Sequence, residues 1–163
     1  MARLRPALSL VLAVIALAGG CGFHLKGAAK LSPAFSSVYL DVPDPYSAAN
    51  RAVRDALSMA GSTLRRARSD DAAVVELTKD ETGRRIMSVS VRNVPTEYEV
   101  FYNVTYRVSV AGKQVLAPTE LTMSRVIAYD ETAQLEKEQE ERIVREALAR
   151  DIAERIVRQL SAL

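Results

Sequence analysis

The 163-residue sequence has little of what catalysis and metal binding require, with one cysteine and one histidine. One thiol cannot form an internal disulfide, and nothing in the chain resembles a Cys/His metal cluster. Also lacking are a glycine-rich phosphate loop, a nucleophile elbow and a metal-spaced ligand set. Glu97 and Glu99 lie two residues apart on one strand face, where such carboxylates are usually surface residues. We therefore predict that the chain is not an enzyme and uses no cofactor.

An excess of charge of one sign is lacking as well. The formal net charge is +2, but Arg3 and Arg5 lie in a segment that we expect to be removed. Without them, 22 − 2 = 20 Lys and Arg residues balance 20 Asp and Glu residues. A neutral chain provides no general field for nucleic acid, so local clusters must meet any anionic ligand. Since 48% of the residues are hydrophobic and 26% are charged, the composition is that of a foldable globular protein.

The first 20 residues have the layout of an export signal. Arg3 and Arg5 form a basic start, residues 7–18 are apolar, and two glycines precede Cys21. The apolar run is too short for a comfortable membrane span of about 20 residues. A small-residue site ending at cysteine resembles the lipobox of bacterial lipoproteins, whose cysteine is acylated. The alternative is an ordinary signal peptide followed by an incidental cysteine.

We therefore predict a lipoprotein signal peptide over residues 1–20 and a single mature domain over residues 21–163. Cys21 is expected to carry acyl chains such as palmitate and to anchor the protein in the membrane. By resemblance to the sorting rules of such lipoproteins, Gly22 favours the outer membrane over the inner one.

The dominant pattern of the mature chain is a strict alternation over residues 97–110. Successive side chains of a strand point to opposite faces, so this segment is predicted to be a strand with one apolar face. Its length would be about 45 Å at about 3.3 Å per residue. The following residues form the apolar face: Tyr98, Val100, Tyr102, Val104, Tyr106, Val108 and Val110.

Two segments show helical spacing. The first begins after Ser47, a suitable N-cap, and ends at Gly61, where a left-handed C-terminal cap is expected. The second covers residues 130–163, with Thr132 as a possible cap. Its apolar stripe contains Leu135, Val144, Leu148, Ile152, Ile156 and Leu160.

The remaining extended segments surround the long strand. We predict strands over residues 35–42, 72–78, 84–92 and 115–129, with a turn over residues 79–83. A hairpin turn is expected at residues 93–95 and a tighter one at residues 111–113.

Two residues of segment 115–129 interrupt its strand pattern. Pro118 indicates an edge or a bulge in the last strand. Arg125 falls among apolar residues, either because a bulge turns it outward, which we favour, or because it is a charge in a half-buried setting.

We predict an α+β fold, a two-layer sandwich with two helices packed on one face of a four-stranded mixed sheet, in the order βαβββα. Arg65, Arg66 and Arg68 are interpreted as a solvated turn in preference to a binding patch.

Several short motifs, taken in order, are similar to a known family. They are Cys21 with the following GFHLK, the helix sequence SAANRAVRDAL, Arg92-Asn93 before Thr96-Glu97-Tyr98, and Arg125 before Lys137-Glu138-Gln139-Glu140. This sequence resembles the LPS-assembly lipoprotein family, LptE, over essentially the whole mature chain. The resemblance implies the same fold of two helices on a four-stranded sheet.

The resemblance also implies a role. Such a lipoprotein plugs the large outer-membrane β-barrel LptD, assists the assembly of that barrel and binds lipopolysaccharide on its way to the cell surface. Arg92 and Lys137 match the basic positions of the family and are the first candidates for contact with lipid A phosphates. Arg84, Arg85, Lys113 and Arg125 are further candidates. For each, a solvated surface charge is the alternative.

Two other functions stay open at this point. The first is a periplasm-facing regulatory lipoprotein that activates a cell-wall enzyme. The second is a small hydrolase, for which the sequence offers no positive sign. Co-purification separates the regulatory lipoprotein from the barrel plug that the resemblance implies, because only the barrel plug requires a stoichiometric barrel partner.

Overall fold

The structure is a computed structural model that describes residues 31–129 and 134–163. The predicted signal peptide, Cys21 and the expected cap Thr132 lie outside the described residues. After a short 3-10 turn at Pro33–Phe35, the elements in chain order are β1 (Ser37–Asp41), α1 (Ala48–Met59), β2 (Thr63–Arg65), β3 (Ala73–Val89), β4 (Pro95–Val110), β5 (Lys113–Ala128) and α2 (Gln134–Leu160).

The strands form one mixed sheet in the order β2-β1-β3-β4-β5. β1 pairs in parallel with β2 and β3, and the other two pairs are antiparallel. The predicted fold has four strands, although five extended segments are predicted; the structure joins segments 72–78 and 84–92 into the single strand β3, and with β2 the sheet has five strands. The added strand β2 is only three residues long, too short to show an alternation in the sequence.

The predicted turn over residues 79–83 is wrong, because β3 runs through it without interruption. Within it, Asp80 accepts a hydrogen bond of 2.8 Å from the Tyr102 hydroxyl. Gly83 lies opposite Phe101, whose ring is 2.9 Å from the position that a Cβ of residue 83 would take. Pairing with β4 over the whole length thus outweighs the local turn preference of Asp and Gly.

The apolar face of β4 is where both helices meet the sheet. The Tyr102 hydroxyl accepts a hydrogen bond of 3.1 Å from the Ala49 N–H group of α1. Four residues further along β4, the Tyr106 hydroxyl donates to the Gln159 side chain of α2. Side chains four apart in a strand share a face, so the prediction that both helices cover one face is confirmed. The β4 residues buried there are Val100, Tyr102, Val104, Tyr106 and Val108.

Both ends of α1 follow the predicted capping pattern. The Ser47 Oγ accepts a hydrogen bond of 3.0 Å from the Asn50 N–H group. Gly61 has a φ of +91°, and the Ser62 N–H group donates to the Leu57 carbonyl at 3.0 Å. This is a Schellman closure, in which glycine takes the left-handed position without a steric penalty.

The long antiparallel part of the sheet ends in two hairpins. Ala111 and Gly112 connect β4 to β5, and both have positive φ values, +49° and +74°. Positive φ at both central residues identifies a type I′ turn, which matches the twist of the flanking strands. Asn93, with a φ of +63°, lies in the predicted turn between β3 and β4.

The edge strand β5 contains a bulge beside Pro118, since Tyr106 pairs with Thr119 but Val108 pairs with Leu116. This agrees with the reading of that proline. The preferred reading of Arg125 is wrong, however, because the register is unbroken from Leu121 to Ala128. Arg125 stays on the helix-covered face, where its guanidinium reaches 3.8 Å from the Asp151 carboxylate.

Replacing Ala111 with glycine should stabilise the protein. The left-handed backbone of Ala111 costs an L-residue more than it costs glycine, so we expect Ala111→Gly to raise the free energy of unfolding by about 0.5–1 kcal/mol. Urea denaturation measures this change. The matched control is Ala128→Gly in β5, which should lower stability by about 0.5–1 kcal/mol. A loss of stability in both variants would contradict the turn assignment.

Candidate functional site

A basic cleft lies where α2 begins, at the end of the sheet that carries the β3–β4 turn. Arg84 of β3 and Lys137 of α2 line it together with Tyr129 and Glu138, and its volume is about 190 Å³. The structure thus brings together two of the six predicted basic residues from distant parts of the sequence.

Arg84 is held in the cleft by a carboxylate and an aromatic ring. Its Nη1 lies 3.0 Å from the Oε2 atom of Glu141, a carboxylate that also accepts a hydrogen bond from Arg145. Its guanidinium is 5.0 Å from the ring centroid of Tyr98. Tyr98 in turn packs edge-on against Tyr129, with centroids 5.0 Å apart. A charge pair and a cation–π contact therefore fix the position of this cation.

Lys137 is mostly buried, with 22% of its side chain exposed. Its Nζ pairs with the Glu140 carboxylate at 2.8 Å, one helical turn away. Its ammonium therefore lies at the wall of the cleft instead of extending into solvent.

Arg92 occupies the β3–β4 turn and is exposed. Among the described residues it forms no ion pair, unlike Arg84 and Lys137. The turn lies close to the cleft, since the Tyr129 N–H group donates a hydrogen bond of 2.8 Å to the Thr96 carbonyl at its base. Arg92 and the cleft therefore share one end of the molecule, which we call the hairpin end.

The hairpin end also exposes aliphatic side chains, for which the sequence predicts only strands over residues 84–92 and 115–129. Each has about half or more of its surface exposed, and exposed apolar groups that occur together mark an interaction site. These residues are Ile86, Met87, Val89, Val91 and Val126. The signal that could have identified them is the length of the hairpin, which extends past β1 and β2.

The other three predicted residues lie elsewhere. Arg85 is on the opposite face of the sheet, where it pairs with Glu99. Lys113 is at the far end of β4, next to the Ala111–Gly112 turn. Arg125 is on the helix-covered face near Asp151. The six basic residues therefore do not form a single site.

The sheet face opposite the helices is polar, and no helix of the described residues lies on it. Cross-strand ion pairs follow it: Arg107 binds Glu76 through two contacts of 2.7 and 3.0 Å, and Arg85 binds Glu99. Phe101 lies between these pairs, beneath the Arg85 guanidinium at 5.8 Å. This open face is rigid, polar and long.

Within the described ranges, no three His, Cys, Asp or Glu side chains are grouped so that they could hold a metal ion. None of the helices in those ranges is long and apolar enough to cross a membrane. The described residues therefore form a helix-covered sheet with one open polar face and one end that exposes basic and aliphatic side chains.

Comparison with known proteins identifies the family. The LptE, lipopolysaccharide-assembly, family model matches residues 35–160, and the chain belongs to this family. The LPS-assembly lipoprotein LptE of Pectobacterium atrosepticum is 31% identical over 155 residues, which cover 94% of this chain and 83% of that protein. The members of this family are lipoproteins of lipopolysaccharide assembly and are not enzymes, so the predictions of family and of a non-enzymatic protein are both confirmed.

Two solved structures share the fold. The solution structure of lipoprotein B from Nitrosomonas europaea has a TM-score of 0.69 at 23% identity and covers 86% of this chain and 91% of its own. The crystal structure of rare lipoprotein B from Shewanella oneidensis has a TM-score of 0.68 at 24% identity, with coverage of 77% and 94%. At this level of identity they support the α+β fold alone.

The open face should show a pH-dependent ion pair. Hydrogen bonds from Arg85 and Ser124 lower the pKa of Glu99 below its usual value of 4.5. A lowered pKa in the folded state contributes stability above the unfolded-state value, and this contribution is lost as the pH falls through the folded pKa. We expect Glu99→Gln to lower the urea midpoint at pH 7 and to differ little from the wild type at the acid end.

Arg85→Gln provides the matched control for this prediction. Since it removes the partner of Glu99, it should abolish most of the same pH dependence, and the double variant should show no further loss. A constant difference between the wild type and Glu99→Gln from pH 3 to pH 7 would contradict the pairing.

Proposed function

We propose that this protein is an outer-membrane lipoprotein, anchored through a lipid on Cys21, that binds lipopolysaccharide at its hairpin end. We further propose that it plugs the LptD β-barrel and assists the assembly of that barrel. Family membership supplies the general role, and the arrangement of charges and apolar groups supports these finer assignments.

One observation carries the lipopolysaccharide assignment: cations and exposed aliphatic side chains occur together at the hairpin end. Lipopolysaccharide carries phosphates on a body with acyl chains, so a binding surface for it needs both kinds of group. Arg92 supplies a positive charge with no ion pair among the described residues, and Arg84 and Lys137 add N–H donors that they share with Glu141 and Glu140. Val91, which is fully exposed, and Met87 offer apolar contact beside them.

The open face of the sheet supports the plug assignment. The interior of an outer-membrane barrel is polar, so a plug needs a polar surface that is already internally satisfied. The Arg107–Glu76 and Arg85–Glu99 pairs give the face this character and need no partner to neutralise them. The length of β4, 16 residues, provides an extended contact surface.

Reversing two charges at the hairpin end should weaken lipopolysaccharide binding. We expect Arg92→Glu and Lys137→Glu each to weaken binding of purified lipopolysaccharide roughly tenfold, because a charge-assisted hydrogen bond contributes about 1.5–3 kcal/mol. Surface plasmon resonance with immobilised protein measures the change.

Lys113→Glu is the matched control, since it makes the same charge change at the opposite end of β4. It should leave binding within about twofold of the wild type. Equal weakening by Lys113→Glu would mean that overall charge governs binding, and unchanged binding in both test variants would remove Arg92 and Lys137 from the site.

The barrel assignment is tested by gentle detergent extraction of tagged protein from the outer membrane, followed by mass spectrometry. We expect a large, heat-modifiable barrel protein at a one-to-one ratio. Recovery of a cell-wall synthase in place of the barrel would overturn the plug assignment and indicate that the protein regulates that enzyme.

A further inference from the structure

A second basic cleft lies far from the hairpin end, where the parallel strands β1 and β2 stop. It has a volume of about 330 Å³, and its walls come from both strands, from α1 and from the segment between β1 and α1. The side chains that matter for its chemistry are Tyr39, Asp41, Asn50, Arg54, Arg65 and Arg66.

This cleft is separate from the Arg84–Lys137 cleft. Asp41, at its wall, pairs with Glu76 of β3, and Arg84 of the first cleft lies 84 − 76 = 8 residues further along the same strand. At about 3.3 Å per residue, the two clefts are about 26 Å apart along the strand. No single small ligand can bridge them.

Three arginines give the second cleft a positive charge. Arg65 is positioned by hydrogen bonds of 2.7 Å to Ser37 and 3.2 Å to Asp71. Arg54 and Arg66 are exposed and form no ion pair with any carboxylate of residues 31–129 or 134–163. Two unpaired guanidinium groups at one cleft are suited to an oxyanion such as a phosphate.

The cleft also contains a buried acceptor that nothing in the described residues satisfies. Asn50 is only 6% exposed, and its side-chain NH₂ group donates to the Pro45 carbonyl. That bond fixes the amide orientation and leaves the Oδ1 atom buried without a donor. Since unsatisfied buried acceptors are rare and costly, this oxygen calls for a donor such as a ligand hydroxyl.

The position in the fold favours the same ligand. Asn50 and Arg54 lie in the first two turns of α1, whose N-terminal end carries a partial positive charge and has no acidic residue in its first turn. Crevices at the carboxyl ends of parallel strands are common ligand sites in open α/β sheets. Tyr39 and Asp41 also line the cleft, and because they alternate with the buried Val38 and Leu40, their side chains lie on the open face of the sheet.

We propose that this second cleft binds a phosphorylated sugar, with the phosphate at Arg54 and Arg66 and a sugar hydroxyl donating to Asn50. The phosphosugar could belong to the saccharide of lipopolysaccharide or to a separate soluble molecule. The site does not depend on the proposed function, because the hairpin-end variants test that function independently.

The test is a titration of the full ¹⁵N-labelled protein with glucosamine 6-phosphate, followed by NMR. We expect saturable shifts at the amides of Asp41, Asn50 and Arg66. Arg54→Gln and Arg66→Gln should each weaken binding of glucosamine 6-phosphate roughly tenfold. Glucosamine without the phosphate should bind the wild type at least roughly tenfold more weakly than glucosamine 6-phosphate does.

Arg68→Gln is the matched control, because it removes the same charge two residues from Arg66 but outside the cleft. It should bind within about twofold of the wild type. Unshifted amides elsewhere in each variant show that the fold is intact. Absence of saturable shifts in the wild type, or equal loss in Arg68→Gln, overturns the site. Equal affinity for inorganic phosphate overturns the sugar assignment.

Two further titrations separate the sources of the ligand. Deacylated lipopolysaccharide that displaces glucosamine 6-phosphate at lower concentration assigns the site to the saccharide of lipopolysaccharide. Displacement only at equal or higher concentration assigns it to a separate phosphosugar. Neither result alters the outcome of the hairpin-end variants, so the two proposals fail independently.

Discussion

The structure depends on the burial of one face of β4 beneath both helices. The buried part of that face, from Val100 to Val108, is apolar except for two tyrosine hydroxyls, and each of these bonds to one helix: Tyr102 accepts from Ala49 of α1 and Tyr106 donates to Gln159 of α2. Burial raises the pKa of Tyr106 to about 12, and burial together with Asp80 raises that of Tyr102. Both hydroxyls therefore keep their protons at physiological pH, so Tyr102 can donate to Asp80 while accepting from the helix.

This arrangement explains why the two sheet faces differ so strongly. Since the helices and the apolar residues use one face, the polar side chains of the same strands must gather on the other, where they pair across strands. The Arg107–Glu76 and Arg85–Glu99 pairs are a direct consequence of the register that buries Val108 and Val100. A shift of one residue would exchange the faces and expose both tyrosines. The open face and the core are therefore specified together.

Most of the fold could be predicted because its signals are local and periodic. Alternation identified β4, Ser47 and Gly61 bounded α1, and two turn sequences identified the hairpins. The errors have a common cause, which is long-range pairing. Asp80 and Gly83 look like a turn but lie opposite Tyr102 and Phe101, and β2 is defined only by its contact with β1. For the candidate site, the sequence predicted which types of residue take part but not which of them lie together. Arg84 and Lys137 line the same cleft only because α2 packs on the sheet.

The separation of the basic residues follows from this architecture and from the equal numbers of basic and acidic residues in the described ranges. Half of the Lys and Arg residues in the described ranges, 9 of 18, form ion pairs there, as Arg107, Arg85 and Arg125 do with Glu76, Glu99 and Asp151. What distinguishes a binding cation here is therefore its surroundings. Within residues 31–129 and 134–163, Arg92 lies without an ion pair in a turn near exposed aliphatic groups. Over the same residues, Arg54 and Arg66 have no ion pair and line a cleft that contains a buried amide oxygen. Apolar neighbours favour a lipid with an anionic head group at the hairpin end. A buried acceptor favours a hydroxylated anion at the cleft of Arg54 and Arg66, so the two sites suit different classes of ligand.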